Sequence, residues 1–198
     1  LMHASDDRND DGVNGNEYGD KGSMMSNHIG FTTMNAPHRE DLGYLGDGLG
    51  VETFDMSCTT DSPDQVTLTI SRLDLSPVGN PHPTVVRIAR HQDHPPSTVA
   101  EVSNYLLSFK SSADWDGGSS DEYRNRLQIH THAGPGSSAP DETLLIKHLG
   151  EGEVFVGRAN CNNSPAPLYV RVVSIGTDAI TVTVNTGCGE NLRGYTAC

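Results

Sequence analysis

Apolar and hydroxyl residues alternate along Val66-Thr67-Leu68-Thr69-Ile70-Ser71 and again along Ile180-Thr181-Val182-Thr183-Val184. A period of two puts one set of side chains on a core and the other in water, so both runs predict β-strands. Less regular runs over 84–90, 104–110, 126–132, 143–149, 154–158 and 168–175 are separated by Pro, Gly, Ser and Asp clusters and predict six more strands. Short strands with turn residues between them predict a mainly β chain, an antiparallel β-sandwich of jelly-roll-like form. Gly176-Thr177-Asp178 should join the last two strands as a hairpin.

The chain ahead of these strands has a different texture. Residues 1–50 are rich in Gly, Asp, Asn and Met and sustain neither a period of 2 nor one of 3.6, so most of this part should be loop. One short helix interrupts it. Asn35 can cap the helix, Pro37 falls in the first turn where its missing N–H costs nothing, and Leu42 and Leu45 lie three apart before Gly46 ends it. The expected organisation is an irregular, one-helix part over 1–50 and a sandwich over 51–198. Residues 132–140, rich in Gly, Ser and Pro, predict an exposed loop.

Charge narrows the range of partners. Lys and Arg number 13 against 26 Asp and Glu, a formal charge of -13 that repels phosphate backbones, so nucleic acid is excluded as an expected partner. No apolar run approaches the roughly 20 residues that cross a bilayer, and Leu1-Met2-His3 does not read as the start of a signal peptide. The four cysteines, Cys58, Cys161, Cys188 and Cys198, are widely spaced and form no C-x-x-C pair. Two disulfides in an oxidising compartment are the expectation, and the sequon at Asn162 fits a secreted glycoprotein. The hairpin about residues 176–178 would bring Cys161 close to Cys188, leaving Cys58 for Cys198. The rival pairing is Cys188 with Cys198 and Cys58 with Cys161.

Several clusters could carry chemistry. Asp7, Asn9 and Asp11, with Gly12 at the bend, have the alternate spacing of a calcium loop, although Tyr18 stands where an EF-hand would place Glu. Calcium and a solvated acidic loop both stay open. His130 and His132 lie two apart on one strand, hence on one face, a geometry able to share a metal. No carboxylate keeps that spacing, so a solvent-facing pair is the expectation. Trp115 between Asp114 and Asp116 offers either a platform for a sugar ring or a plug for the sandwich edge. No G-x-S-x-G, G-x-x-x-x-G-K or G-x-G-x-x-G motif is present.

An ordered set of motifs adds a resemblance. His3 is followed by Tyr18-Gly19-Asp20, Met24-Met25, Asn35-Ala36-Pro37-His38 and Leu42-Gly43-Tyr44, with looser matches at 105–110, 123–126 and 129–130. This set resembles the gametolysin family of metzincin zinc proteases, algal cell-wall-degrading enzymes and their relatives. In that family H-E-x-x-H-x-x-G-x-x-H supplies three zinc-binding histidines and a general-base Glu, and a Met-turn lies beneath the metal. The resemblance implies that His3 is the third zinc histidine and Met25, ahead of Met24, the Met-turn residue. Residues 1–50 would then be the C-terminal part of a metzincin-like catalytic domain. Ser26 and Tyr44 depart from the Gly and Trp usual in the family.

The resemblance also implies that the other two histidines and the general base lie upstream of Leu1. No catalytic residue falls within the sequence, and zinc would belong to the full-length protein only, because a catalytic zinc needs three protein ligands. The expected function is therefore that of a fragment, inactive alone, of a secreted zinc metalloendopeptidase acting on extracellular or cell-wall glycoproteins. The alternative is a structural extracellular glycoprotein, a wall, sheath or fibre subunit built on a metzincin scaffold, which would assemble as a homo-oligomer or filament. A carbohydrate-binding module resting on Trp115 is a third reading.

Overall fold

A computed structural model describes residues 3–6, 34–45, 50–54, 64–75, 79–89, 104–112, 123–132, 142–161 and 164–186. These residues form a mainly β structure of two antiparallel-rich sheets with one short helix. In chain order the elements are β1 (His3–Asp6), α1 (Ala36–Asp41), β2 (Val51–Phe54), β3 (Asp64–Ser71), β4 (Val85–Ala89), β5 (Asn104–Lys110), β6 (Arg126–His132), β7 (Glu142–Leu149), β8 (Val154–Cys161), β9 (Ser164–Ile175) and β10 (Ala179–Thr186). Six strands make sheet A, in the order β1-β7-β6-β5-β4-β2, and four make sheet B, in the order β3-β10-β9-β8.

All eight strands predicted by alternation are present. The period-two runs bury one face against the opposite sheet: Ile70, Val170, Val172, Ile180, Val182 and Val184 from sheet B meet Val86, Ile88, Leu107, Phe109, Leu127 and Ile129 from sheet A. Burial of apolar area on this scale is the main force that closes a sandwich. Tyr105 on β5 and Phe155 on β8 join the sheets edge to face, with ring centroids 5.4 Å apart at 74°. The β9–β10 hairpin forms about Gly176-Thr177-Asp178 as expected, and Arg72, just past β3, binds that turn through its N–H to the Asp178 carbonyl at 2.8 Å.

The connectivity differs from a jelly roll. Strands β4 to β7 run as one antiparallel meander and β8 to β10 as another, whereas a jelly roll interleaves two Greek keys. Two further strands escaped the pattern. β1 pairs parallel with β7, His3 opposite Glu142, and β2 pairs parallel with β4, Val51 opposite Val85. Each is only four residues long and ordered by its neighbour, so neither writes an alternation of its own into the sequence.

The helix begins where expected and stops early. Asn35 Oδ1 accepts from the His38 N–H at 3.1 Å, and Pro37 sits in the first turn. The chain leaves the helix at Gly43, whose φ of +74° suits glycine alone at little cost, three residues before Gly46. Gly43 N–H donates to the Glu40 carbonyl at 2.9 Å and Tyr44 N–H to that of Arg39 at 2.8 Å, the paired bonds of a Schellman cap. Leu42 is consequently left 44% exposed while Leu45 is buried with Ala36, Val51, Leu73, Val85 and Leu106. That second cluster fastens the helix to the face of sheet A turned away from sheet B.

Gly157 on β8 gives a direct test of the sandwich core. A Cβ there would lie 2.6 Å from Phe155 Cε1 and 2.9 Å from Tyr105 Oη. Both rings lie between the sheets and cannot retreat without opening the core. Gly157→Ala is expected to lower the unfolding free energy by about 1–3 kcal/mol. Urea denaturation measures this, and an unchanged midpoint would show that the ring pair does not fix the spacing of the sheets.

Candidate functional site

Sheet A is covered on both faces, so the residues of its outer face are buried although alternation makes many of them polar. Arg87 on β4, Ser108 and Lys110 on β5, and Gln128, His130 and His132 on β6 project to this side, opposite the apolar set facing sheet B. Gln128, His130, Ser108 and Lys110 are fully buried and His132 is 8% exposed. The expectation of a solvent-facing histidine pair is thus wrong. Glu40 and Asp41, which meet His132, belong to a helix far earlier in the chain, and period-two alternation reads one face of a strand without showing what lies on it.

Helix α1 brings its carboxylates to this layer. Glu40 is almost fully buried and forms an ion pair through Oε1 with Arg87 Nη2. Its other oxygen, Oε2, lies 3.2 Å from His132 Nδ1 without the alignment of a hydrogen bond. The other ring nitrogen of His132, Nε2, is hydrogen-bonded to Asp41 Oδ1 at 3.0 Å. Arg87 also donates to Thr53 Oγ1 on β2 at 3.2 Å, and Arg39 of the helix donates to the Leu73 carbonyl. Two carboxylates therefore flank one imidazole, and the first of them also neutralises a guanidinium.

The electrostatics follow from burial. Desolvation lowers the pKa of Arg87 from its ordinary value, yet a guanidinium stays charged at neutral pH, so Glu40 must remain its counter-ion. Taking these charges out of water is expensive and is offset only when the partners stay in place. A carboxylate–imidazole–carboxylate row can pass a proton, but side chains exposed by 2%, 8% and 20% leave no room for a polymeric substrate to reach it. The arrangement holds the helix on the sheet.

The residues singled out in the sequence fall elsewhere. His3 is the first residue of β1, placed by its backbone on the edge of sheet A. Cys161 ends β8, opposite Ser164 of β9 in the ladder. Asp7, Asn9, Asp11, Met24, Met25, Cys58, Trp115, Asn162, Cys188 and Cys198 lie outside the described residues, as does the geometry of either disulfide pairing. Among the described residues no three His, Cys, Asp or Glu side chains converge as a metal ion requires. The described residues therefore offer no site that fits a resident zinc.

Sequence reasoning passed over Glu40, Asp41 and Arg87. The available signal was a buried-type cap, Asn35-Ala36-Pro37, followed at once by the polar run His38-Arg39-Glu40-Asp41, which a surface helix would also carry. No family model, no curated protein and no solved structure matches the chain.

The clamp is tested by its coupling. Glu40→Ala removes a buried carboxylate from both Arg87 and His132 and is expected to cost about 3–5 kcal/mol of stability. Glu40→Ala combined with Arg87→Met should cost much less than the sum of the single changes. A double-mutant cycle read by thermal unfolding checks this, and additive losses would show that the pair does not act as a unit.

Proposed function

We propose that the chain belongs to a secreted, extracellular zinc metalloendopeptidase of gametolysin type, acting on extracellular or cell-wall glycoproteins and inactive as this fragment alone. The observation that carries the reading is the ordered motif set: His3, Tyr18-Gly19-Asp20, Met24-Met25 and Asn35-Ala36-Pro37 occur in the family's order between positions 3 and 37. The last motif opens a capped helix bound by Glu40 to the sandwich, an arrangement that would let the β-domain support the floor of a catalytic lobe. In this reading His3 contributes one zinc ligand in the full-length protein, Met25 forms the Met-turn, and residues 1–50 are the end of the catalytic domain. Calcium on Asp7, Asn9 and Asp11, glycosylation at Asn162 and two disulfides among Cys58, Cys161, Cys188 and Cys198 belong to the same proposal.

A structural glycoprotein is the second reading. β8 is the outermost strand of sheet B among the described residues, and Val156 on it is 51% exposed. An outer strand that carries an exposed apolar side chain suits pairing with another copy.

The test is the coding sequence upstream of Leu1. The protease reading expects H-E-x-x-H at the family spacing, cleavage of a glycoprotein by the complete protein, and loss of about 10²–10⁴ in rate when that Glu becomes Gln. The chain from Leu1 alone should neither cleave nor retain stoichiometric zinc after dialysis. An upstream sequence in which the Glu or a His is replaced would transfer the assignment to the structural reading. For the acidic loop, chelation is expected to lower Tm, since a ligand held only by the folded state stabilises it by mass action, and differential scanning calorimetry with and without chelator decides the point.

A further inference from the structure

The outer face of sheet B is of another kind from that of sheet A. Gln65 of β3, Asn185 of β10 and Tyr169 of β9 stand side by side across three strands, with Thr183 and Arg171 in the adjoining row. Together with Val173 they line a depression of about 190 Å3. Tyr169 is 8% exposed and forms its floor, while Gln65, Arg171 and Val173 rise around it as exposed walls. Asn185 Oδ1 is shielded from solvent and accepts no hydrogen bond.

Each feature narrows the ligand. A shielded amide oxygen without a donor is costly and is relieved by an O–H or N–H brought from outside. Gln65, Thr183 and Arg171 add donors and acceptors in a short arc, and Tyr169 with Val173 adds apolar surface for C–H groups. The strand backbones beneath are committed to their ladders, so main-chain recognition of a peptide has no groups to use. The chain's net charge of -13 disfavours a nucleic acid. A pyranose presents adjacent hydroxyls that both donate and accept around an apolar ring face, and the depression has room for one such unit.

We infer that this face of sheet B is a saccharide-binding site, in which Asn185 Oδ1 accepts from a ring hydroxyl, Gln65 and Arg171 bridge adjacent hydroxyls, and Tyr169 and Val173 carry the ring's C–H face. Arg171, the one charged residue in the lining, decides between a neutral sugar and a uronate. The site depends on neither functional reading above.

Titration of the isotope-labelled chain with β-1,4-glucose, β-1,4-galactose and α-1,4-galacturonate trimers, followed by backbone amide NMR, tests it. At least one trimer is expected to give saturable shifts at residues 65, 169, 171, 183 and 185. Asn185→Ala should weaken that binding by about tenfold while leaving Tm unchanged, because the side-chain oxygen it removes has no partner in the fold. Tighter binding of the galacturonate that fades with salt would assign its carboxylate to Arg171, and salt-independent binding of a glucose or galactose trimer would assign a neutral sugar. The inference is overturned if none of the trimers shifts these residues, if the shifts centre elsewhere, or if Asn185→Ala binds as tightly as the native chain.

Discussion

The buried contact of Glu40 with Arg87 and His132 is the interaction on which the arrangement of the described residues turns. A helix of six residues has little stability of its own, since nucleation costs more than so few hydrogen bonds return. It is ordered by a cap at Asn35, by the apolar contact of Ala36 and Leu45 with sheet A, and by an ion pair that would be prohibitively costly unpaired. The same contact covers Arg87 and His132 on the outer face of sheet A. A polar strand surface that would ordinarily meet water here meets the carboxylates of a helix.

This covering extends to the sheet's edges. Segments that precede the first long strand supply β1 beside β7 and β2 beside β4, so the meander of sheet A is flanked on both sides by parallel neighbours. Arg87 ties the two effects together, because it reaches Glu40 on the helix and Thr53 on β2 at once. Among the described residues no element covers the outer face of sheet B, where Val156 and Val173 stay about half exposed. The two sheets thus share one apolar interior and face different surroundings, and that asymmetry separates a surface used for internal fastening from one open to a ligand.

In the proposed readings the two faces would do different work. In the protease reading, the outer face of sheet A would carry the end of the catalytic lobe, and its buried ionic clamp would set the orientation of that lobe. The open face of sheet B would lie on the opposite side of the sandwich, clear of any active site. A protein that holds substrate glycan on one side and cuts polypeptide on the other gains effective concentration from the link.

Local pattern was enough to determine the strands, because side-chain alternation acts within a few residues: Val66 to Ser71 and Ile180 to Val184 have to bury one side whatever their partners are. The cap at Asn35 was equally legible, since an N-cap is satisfied by a backbone N–H three residues on. Gly43 ended the helix rather than Gly46, a choice set by which glycine could complete the cap's hydrogen bonds. Sheet order, the parallel pairing of β1 with β7 and of β2 with β4, and the burial of His132 between Glu40 and Asp41 were decided only by tertiary structure. Those outcomes depend on contacts between residues as far apart as His3 and Glu142, and a sequence records the chemistry of each partner without recording which partner it meets.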